Sequence, residues 1–209
     1  GPIVFDVAPG SGPYNEQVII PEIGGTSVTN TITFNGNGVS LVSASANTNS
    51  REGILLNGAD HVTIDNFVID VFAGTYGWGV RLTNSADSNV ISNCQITALA
   101  NSTSTNFAGI VMSGSATSAT TSGDNGDGNL FQGNTINNGY YSFALAGLSA
   151  GPFASNNRVI NNTIIDQYLY GIYAIYNENT EFSGNTIYHY TRSSTTSCYG
   201  VFLTTSCSN

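Results

Sequence analysis

The 209-residue sequence predicts an all-β solenoid, and three observations carry that prediction. The first is a phrase, apolar-variable-apolar, that returns as Ile32-Thr33-Phe34, Ile54-Leu55-Leu56, Val80-Arg81-Leu82, Ile110-Val111-Met112, Phe143-Ala144-Leu145, Ile172-Tyr173-Ala174 and Val201-Phe202-Leu203. Its first residues lie 22, 26, 30, 33, 29 and 29 apart, the spacing of units that stack along one axis. A period of two makes each phrase a strand. The second observation is the residue before the phrase: from the second copy on it is Gly53, Gly79, Gly109, Ser142, Gly171 and Gly200. The third is a second repeat between the phrases. Ile64-Asp65-Asn66-Phe67-Val68-Ile69 aligns with Ile91-Ser92-Asn93-Cys94-Gln95-Ile96, and then with the stretches that begin at Phe131, Val159 and Phe182. One such strand cannot bury its apolar face, but copies stacked on one another can. The expectation is a single stack of about six to seven coils.

Taken in order, residues 1–30 read as lead-in or cap strands, Ile3 to Val7 and Tyr14 to Ile20, and residues 31–209 as stacked coils of one domain. The whole is expected to be part of a longer chain. Each coil holds a strand, a turn, a second strand and a corner, with room for a third strand. The corner carries Asn or Gly, which tolerate the left-handed backbone of a sharp bend. Asn89, Asn129 and Asn157 form a column two residues before the second repeat, where amides can stack from rung to rung. Thr97 to Phe107 and Ser115 to Asn129 are rich in Ser, Thr and Gly and read as loops outside the stack.

Composition narrows the function. Only 8% of residues are charged, lysine is absent, and four arginines face thirteen carboxylates for a net charge of −9. Nucleic acid and anionic membrane surfaces need a basic partner, so both are excluded. No apolar run reaches the length of about 18 residues that a membrane-spanning helix needs. Solubility rests instead on Asn, Ser, Thr and Gly, which suits a rigid extracellular solenoid. Cys94 falls at an interior corner and reads as a buried thiol. Cys198 and Cys207 bracket the last phrase, too far apart along a strand for a disulfide unless the chain turns sharply after Leu203.

The corner repeats Asn134-Thr135-Ile136, Asn162-Thr163-Ile164 and Asn185-Thr186-Ile187 resemble those of the right-handed parallel β-helix proteins, the pectin-lyase-like group. The resemblance covers roughly residues 30 to 209. The stretches Gly1 to Val7, Tyr14 to Ile20, Asn30 to Gly38 and Gly58 to Asp65 are similar to β-helix segments of large secreted bacterial surface proteins, often exported by the type IX route. The resemblance implies a fold and an extracellular or cell-surface location. It implies no single activity, because the same scaffold carries lyases, hydrolases, adhesins and inert spacers.

Enzymes of that group work on an outward sheet face. Alternation turns the middle residues of the phrase outward: Thr33, Leu55, Arg81, Val111, Ala144, Tyr173 and Phe202. This column has one cation and no carboxylate. The next, Thr63, Val90, Leu130, Arg158 and Glu181, offers no better constellation. Asp60, Asp65, Asp70 and Asp87 read as turn acids, and His61 and His189 lie far apart. No catalytic residue is therefore assigned, and no cofactor is expected. Asp124 and Asp127, in Asp124-Asn125-Gly126-Asp127-Gly128-Asn129, are the carboxylates a calcium ion would use, although the spacing of the calcium-loop motif is not met. Asn101-Ser102-Thr103 and Asn161-Asn162-Thr163 are formal glycosylation triplets, the second at a corner expected to be inaccessible.

The remaining signal is aromatic. Trp78, Phe107, Tyr141, Tyr170 and Tyr199 each precede a phrase by one or two residues of strand, the register of a ladder along one corner. Val111, Ala144, Tyr173 and Phe202, with Tyr170 and Tyr199, form the expected interface, an apolar stripe to be covered by another segment of a long chain or by a neighbouring subunit. Surface glycans are the further candidate partner. The expected function is a non-catalytic structural or adhesive module of a larger surface protein. The alternative is a carbohydrate-binding or carbohydrate-active domain of the lyase or glycoside hydrolase kind.

Overall fold

The computed structural model describes residues 1–193 and 197–208, and among them the chain forms strands and turns but no helix. It is a parallel β-helix. Each of seven coils gives one strand to each of three parallel sheets. The first sheet runs from Ile3–Asp6 through Ile32–Asn35 and Val62–Asp65 to Glu181–Ser183. The second runs from Tyr14–Asn15 to Thr186–Tyr188, and the third from Val18–Pro21 through Glu52–Asn57 and Gly77–Thr83 to Tyr199–Leu203. A short fourth sheet joins Ala154–Ser155, Asn177–Glu178 and Cys207–Ser208.

Alternation places apolar columns from each sheet inside, two of them from the third sheet, where Leu56, Leu82, Met112, Leu145 and Ala174 form the second. The third sheet supplies Ile54, Val80, Ile110, Phe143 and Ile172 in direct register, all buried. The first supplies Ile64, Ile91, Phe131 and Val159, and the second Ile69, Ile96, Ile136 and Ile164. Each such side chain contributes about 1.5 to 3 kcal/mol of burial. The glycine before the phrase is explained by space. A Cβ on Gly109 would lie 2.5 Å from the Ser142 carbonyl oxygen of the next rung and 2.6 Å from Ile136 Cγ2 of the second sheet.

The corners are built from two columns of left-handed residues. His61, Ser88, Gly128, Asn156 and Asn179 occupy one, and Asn66, Asn93, Gly133, Asn161 and Gly184 the other. Each column precedes an inward position where asparagines stack. Asn89 N–H donates to Asn129 Oδ1 at 2.9 Å, and Asn129 N–H to Asn157 Oδ1 at 2.9 Å. At the other corner Asn134 N–H donates to Asn162 Oδ1 and Asn162 N–H to Asn185 Oδ1, both at 2.9 Å. Each Nδ2 of this second ladder also donates to the carbonyl of the first-sheet strand one rung earlier. The buried corner polar groups are thus paired between rungs, which a solenoid core requires, except that Asn129 Nδ2 has no partner among the described residues.

Four expectations need correction. Ile32-Thr33-Phe34 does not stack on Ile54. It pairs with Val62-Thr63-Ile64 in the first sheet, and the partner of Ile54 is Val18. Period two cannot say which of three sheets a strand enters, and no glycine precedes Ile32. Residues 1–30 accordingly form a full rung, with Ile3 paired to Ile32, rather than lead-in strands alone. Phe107 is not in the aromatic register, since Ala108 pairs with Trp78 and Tyr141 while Phe107 packs into the central core. Asn161 is exposed, and its neighbour Asn162 is the buried member of that corner.

Candidate functional site: the outer face of the third sheet

The outer face of the third sheet carries two columns in register. One is Glu52, Trp78, Ala108, Tyr141, Tyr170 and Tyr199. The other is Ile19, Leu55, Arg81, Val111, Ala144, Tyr173 and Phe202. The glycine and the residue after it both face inward, and this break in alternation lets both columns point the same way.

In the lower rungs the face is polar and closed. Arg81 Nη1 pairs with Glu52 Oε1 at 2.9 Å, and the two side chains are 8% and 1% exposed. Gln17 Nε2 donates to Glu52 Oε2 at 3.0 Å, and Ser50 Oγ bonds Gln17 Oε1. Arg81 Nε and Nη2 both donate to the Ser113 carbonyl, at 3.3 and 3.1 Å. Arg51 lies over the rings of Tyr76 and Trp78, 4.4 and 5.2 Å from their centroids, and donates to Thr48 and Asn106. Burial pushes the Arg51 guanidinium below its ordinary value, against the pull of Tyr76 and Glu52. The segment from Ser113 to Gly123 arches over this region. Its Ala119 packs in one buried cluster with Trp78, Ala108, Val111, Tyr141 and Ala144.

In the upper rungs the face is aromatic. Tyr141, Tyr170 and Tyr199 stack, with centroids 5.3 and 5.4 Å apart and interplanar angles of 7° and 18°. Tyr173 and Phe202 stack beside them at 5.8 Å and 18°. The two stacks meet edge to face, Tyr170 on Tyr173 at 70° and Tyr199 on Phe202 at 62°. Burial pushes the Tyr141 phenol well above its ordinary value and raises that of Tyr173 as well. Tyr199 is 42% exposed, and Tyr170, Tyr173 and Phe202 are half-buried.

Of the six residues expected to form an interface, the structure therefore keeps four at the surface. Val111 and Ala144 are completely buried under the chain's own segment. Glu52 was not legible as a site residue. Its signal lay in the aromatic register, since it precedes Gly53 as Trp78 precedes Gly79.

The carboxylates expected at turns act there as backbone acceptors. Asp60 Oδ1 accepts the Asp87 N–H at 2.7 Å, Asp87 Oδ1 the Asp127 N–H at 2.7 Å, and Asp127 Oδ1 the Ser155 N–H at 2.6 Å. Asp124 Oδ2 accepts the Ser85 hydroxyl at 2.6 Å. Asp65 is held by Ser92 and Asn93, one rung on, and does not pair with Asp70. Burial raises Asp87 above the usual carboxylate range; the Asp127 N–H opposes that, and the charges of Asp60, Asp127 and Asp124 add to it. His189 Nε2 meets the Gln167 carbonyl at 2.8 Å, and His61 sits in the left-handed corner column. Cys94 is buried, its thiol pushed up to about 12 by desolvation. Cys198 and Cys207 are unbridged; Cys198 Sγ accepts from Gln167 Nε2, and Cys207 Sγ meets the Ala174 carbonyl.

Neither the curated proteins nor the solved structures yield a match to this chain. The family described as right handed beta helix region matches residues 49–209, which take in every rung from Glu52–Asn57 onward. Coils, corner ladders and match agree, and the chain belongs to the right handed beta helix region family.

Proposed function

We propose that this chain is a non-catalytic structural or adhesive β-helix module of a larger protein, displayed outside the cell or at its surface and working without a cofactor. The observation that carries the reading is how the third sheet's outer face uses its chemistry. Its one carboxylate and one guanidinium column members, Glu52 and Arg81, are locked to each other and to Gln17 and Ser113 beneath a loop. A catalytic acid, base or substrate clamp needs a polar group free to meet substrate. What the face offers to a partner is instead a block of tyrosine and phenylalanine, the residue types that contact surfaces favour. The sparse charge and the absence of lysine support a place outside the cell, as does the resemblance to large bacterial surface proteins of the type IX kind. Its partners are then other segments of the same long chain, neighbouring subunits or surface glycans.

The test is depolymerisation. Acidic polysaccharides incubated with the chain, with and without calcium, should release no more unsaturated or reducing ends than a boiled control. Release above that control would overturn the reading in favour of a carbohydrate-active domain.

A further inference from the structure

We propose that the open aromatic half of this face, Tyr170, Tyr173, Tyr199 and Phe202, takes an uncharged polypeptide segment rich in Ala, Ser and Thr from a partner chain. The proposal rests on reading the face as a contact surface and names what it contacts.

The first argument is continuity. The two halves of the face are one surface, because Tyr170 and Tyr173 pack against the buried cluster of Trp78, Val111, Tyr141 and Ala144. The chain covers the lower half of that surface itself, with Ser113-Gly114-Ser115-Ala116-Thr117-Ser118-Ala119-Thr120-Thr121-Ser122-Gly123. This cover has no charge and no bulky side chain. It seats one methyl group, that of Ala119, which is 3% exposed. It satisfies its own polar groups through Ser113 Oγ, which donates to the Ser118 carbonyl at 2.6 Å, and through Gly114 N–H, which donates to the Thr121 carbonyl. The surface thus displays, one rung away, the chemistry of the cover it accepts.

The second argument concerns the rings. A sugar stacks its C–H groups on an aromatic face, so it needs that face free. The faces of Tyr170 are taken by Tyr141 and Tyr199, and Tyr173 and Phe202 each give one face to the other, while Tyr199 and Phe202 each have one stacked partner among the described residues. Tyr170 therefore has only its edge and phenol tip to offer, and the block as a whole has fewer free faces than rings. Edges receive methyl groups, and phenol tips donate to carbonyl oxygens, both of which such a segment supplies. Among the described residues, no hydrogen bond engages the hydroxyls of Tyr170, Tyr173 or Tyr199. No carboxylate or guanidinium belongs to this block, so an uncharged segment loses no ionic hydration on docking.

The experiment titrates a peptide of the sequence Ser113–Gly123, blocked at both termini, into the full chain, with aromatic NMR signals as the readout. A neutral oligosaccharide series forms the second arm. The expected result is saturable shifts at Tyr173, Tyr199 and Phe202 with the peptide, weakened at least about tenfold in Tyr173→Ser and Phe202→Ser and unaltered in Tyr190→Ser. Protection of Tyr199 from nitration by the peptide in the unmodified chain gives the same reading without relying on a variant's folding. Shifts that do not saturate, or that persist in both variants, would overturn the proposal. Binding of the oligosaccharides alone to the same rings would also overturn it, while leaving the contact reading in place. Release of sugar ends would instead remove that reading.

Discussion

The lower rungs of the third sheet's outer face carry Glu52, Trp78 and Arg81 beneath loops, whereas the upper rungs carry Tyr170, Tyr173, Tyr199 and Phe202 with their edges in solvent. Both belong to the same two columns, so backbone geometry does not distinguish them. The difference is what arches above. Long insertions leave the coil near the lower rungs and exclude water there, and a charge under such a cover persists only if every polar atom is matched. Arg81 and Glu52 meet that condition through Gln17 and Ser113. The upper rungs have no comparable insertion on this face among the described residues, and there the chain places rings that tolerate half-burial and stabilise one another by stacking.

Several substitutions would break or sharpen this comparison, from the largest expected effect to the smallest. Ile110→Asp puts an unpaired charge into the column that supports both halves, and it should abolish cooperative unfolding altogether. A variant that melts as the parent does would refute the stacked core. Next comes the closed half. Arg81→Met strands the Glu52 carboxylate and should cost about 3 to 5 kcal/mol in denaturant unfolding, whereas Arg81→Met combined with Glu52→Leu should recover most of that loss. If the double variant is as weak as the single one, the pair is not the coupled unit described here.

The corner ladder comes third. Asn134→Ala removes an acceptor from the Cys94 N–H and a donor from the Ile91 carbonyl, and about 1 to 3 kcal/mol should go with them. Asp87 gives a smaller effect that depends on pH. Its folded-state value is raised, so the native chain holds that proton more tightly than the unfolded one. The contribution of Asp87 to stability therefore declines as pH rises from the ordinary carboxylate value, about 4, through the folded one. Asp87→Asn should flatten that part of the stability profile and leave the chain slightly more stable at neutral pH. An unaltered profile would show that Asp87 titrates as an ordinary surface acid.

Much of the fold was legible because the solenoid repeats one physical problem. An apolar column and a close-approach glycine recur in every rung from Gly53 on, with Ser142 the one substitute. The structure offers no account of that exception, since Ser142 is buried and its hydroxyl has no partner among the described residues. The first copy of the phrase was misplaced because it lacks the glycine, so Ile32-Thr33-Phe34 and Val18-Ile19-Ile20 cannot be sorted by pattern alone. The Asn89, Asn129 and Asn157 column was legible, but the direction of its bonds, backbone N–H of the earlier rung to side-chain oxygen of the later, was not. The face was half legible. Its tyrosines sit at a fixed offset from the phrase, whereas Glu52 and Arg81 lie on neighbouring rungs and in different columns, so their meeting depends on the break in alternation at the glycine and on rung register. Nor could sequence say that Val111 and Ala144 are covered by the chain's own segment, because the path of a Ser- and Thr-rich loop is not written in its composition.

The division of the face into a closed and an open half is tested most directly by tyrosine nitration of the native chain, mapped by peptide mass. The account predicts rapid modification of Tyr199 and Tyr173, with Tyr141, under the same conditions, spared until the chain unfolds. Equal protection of Tyr141, Tyr173 and Tyr199, or rapid modification of Tyr141, would contradict it.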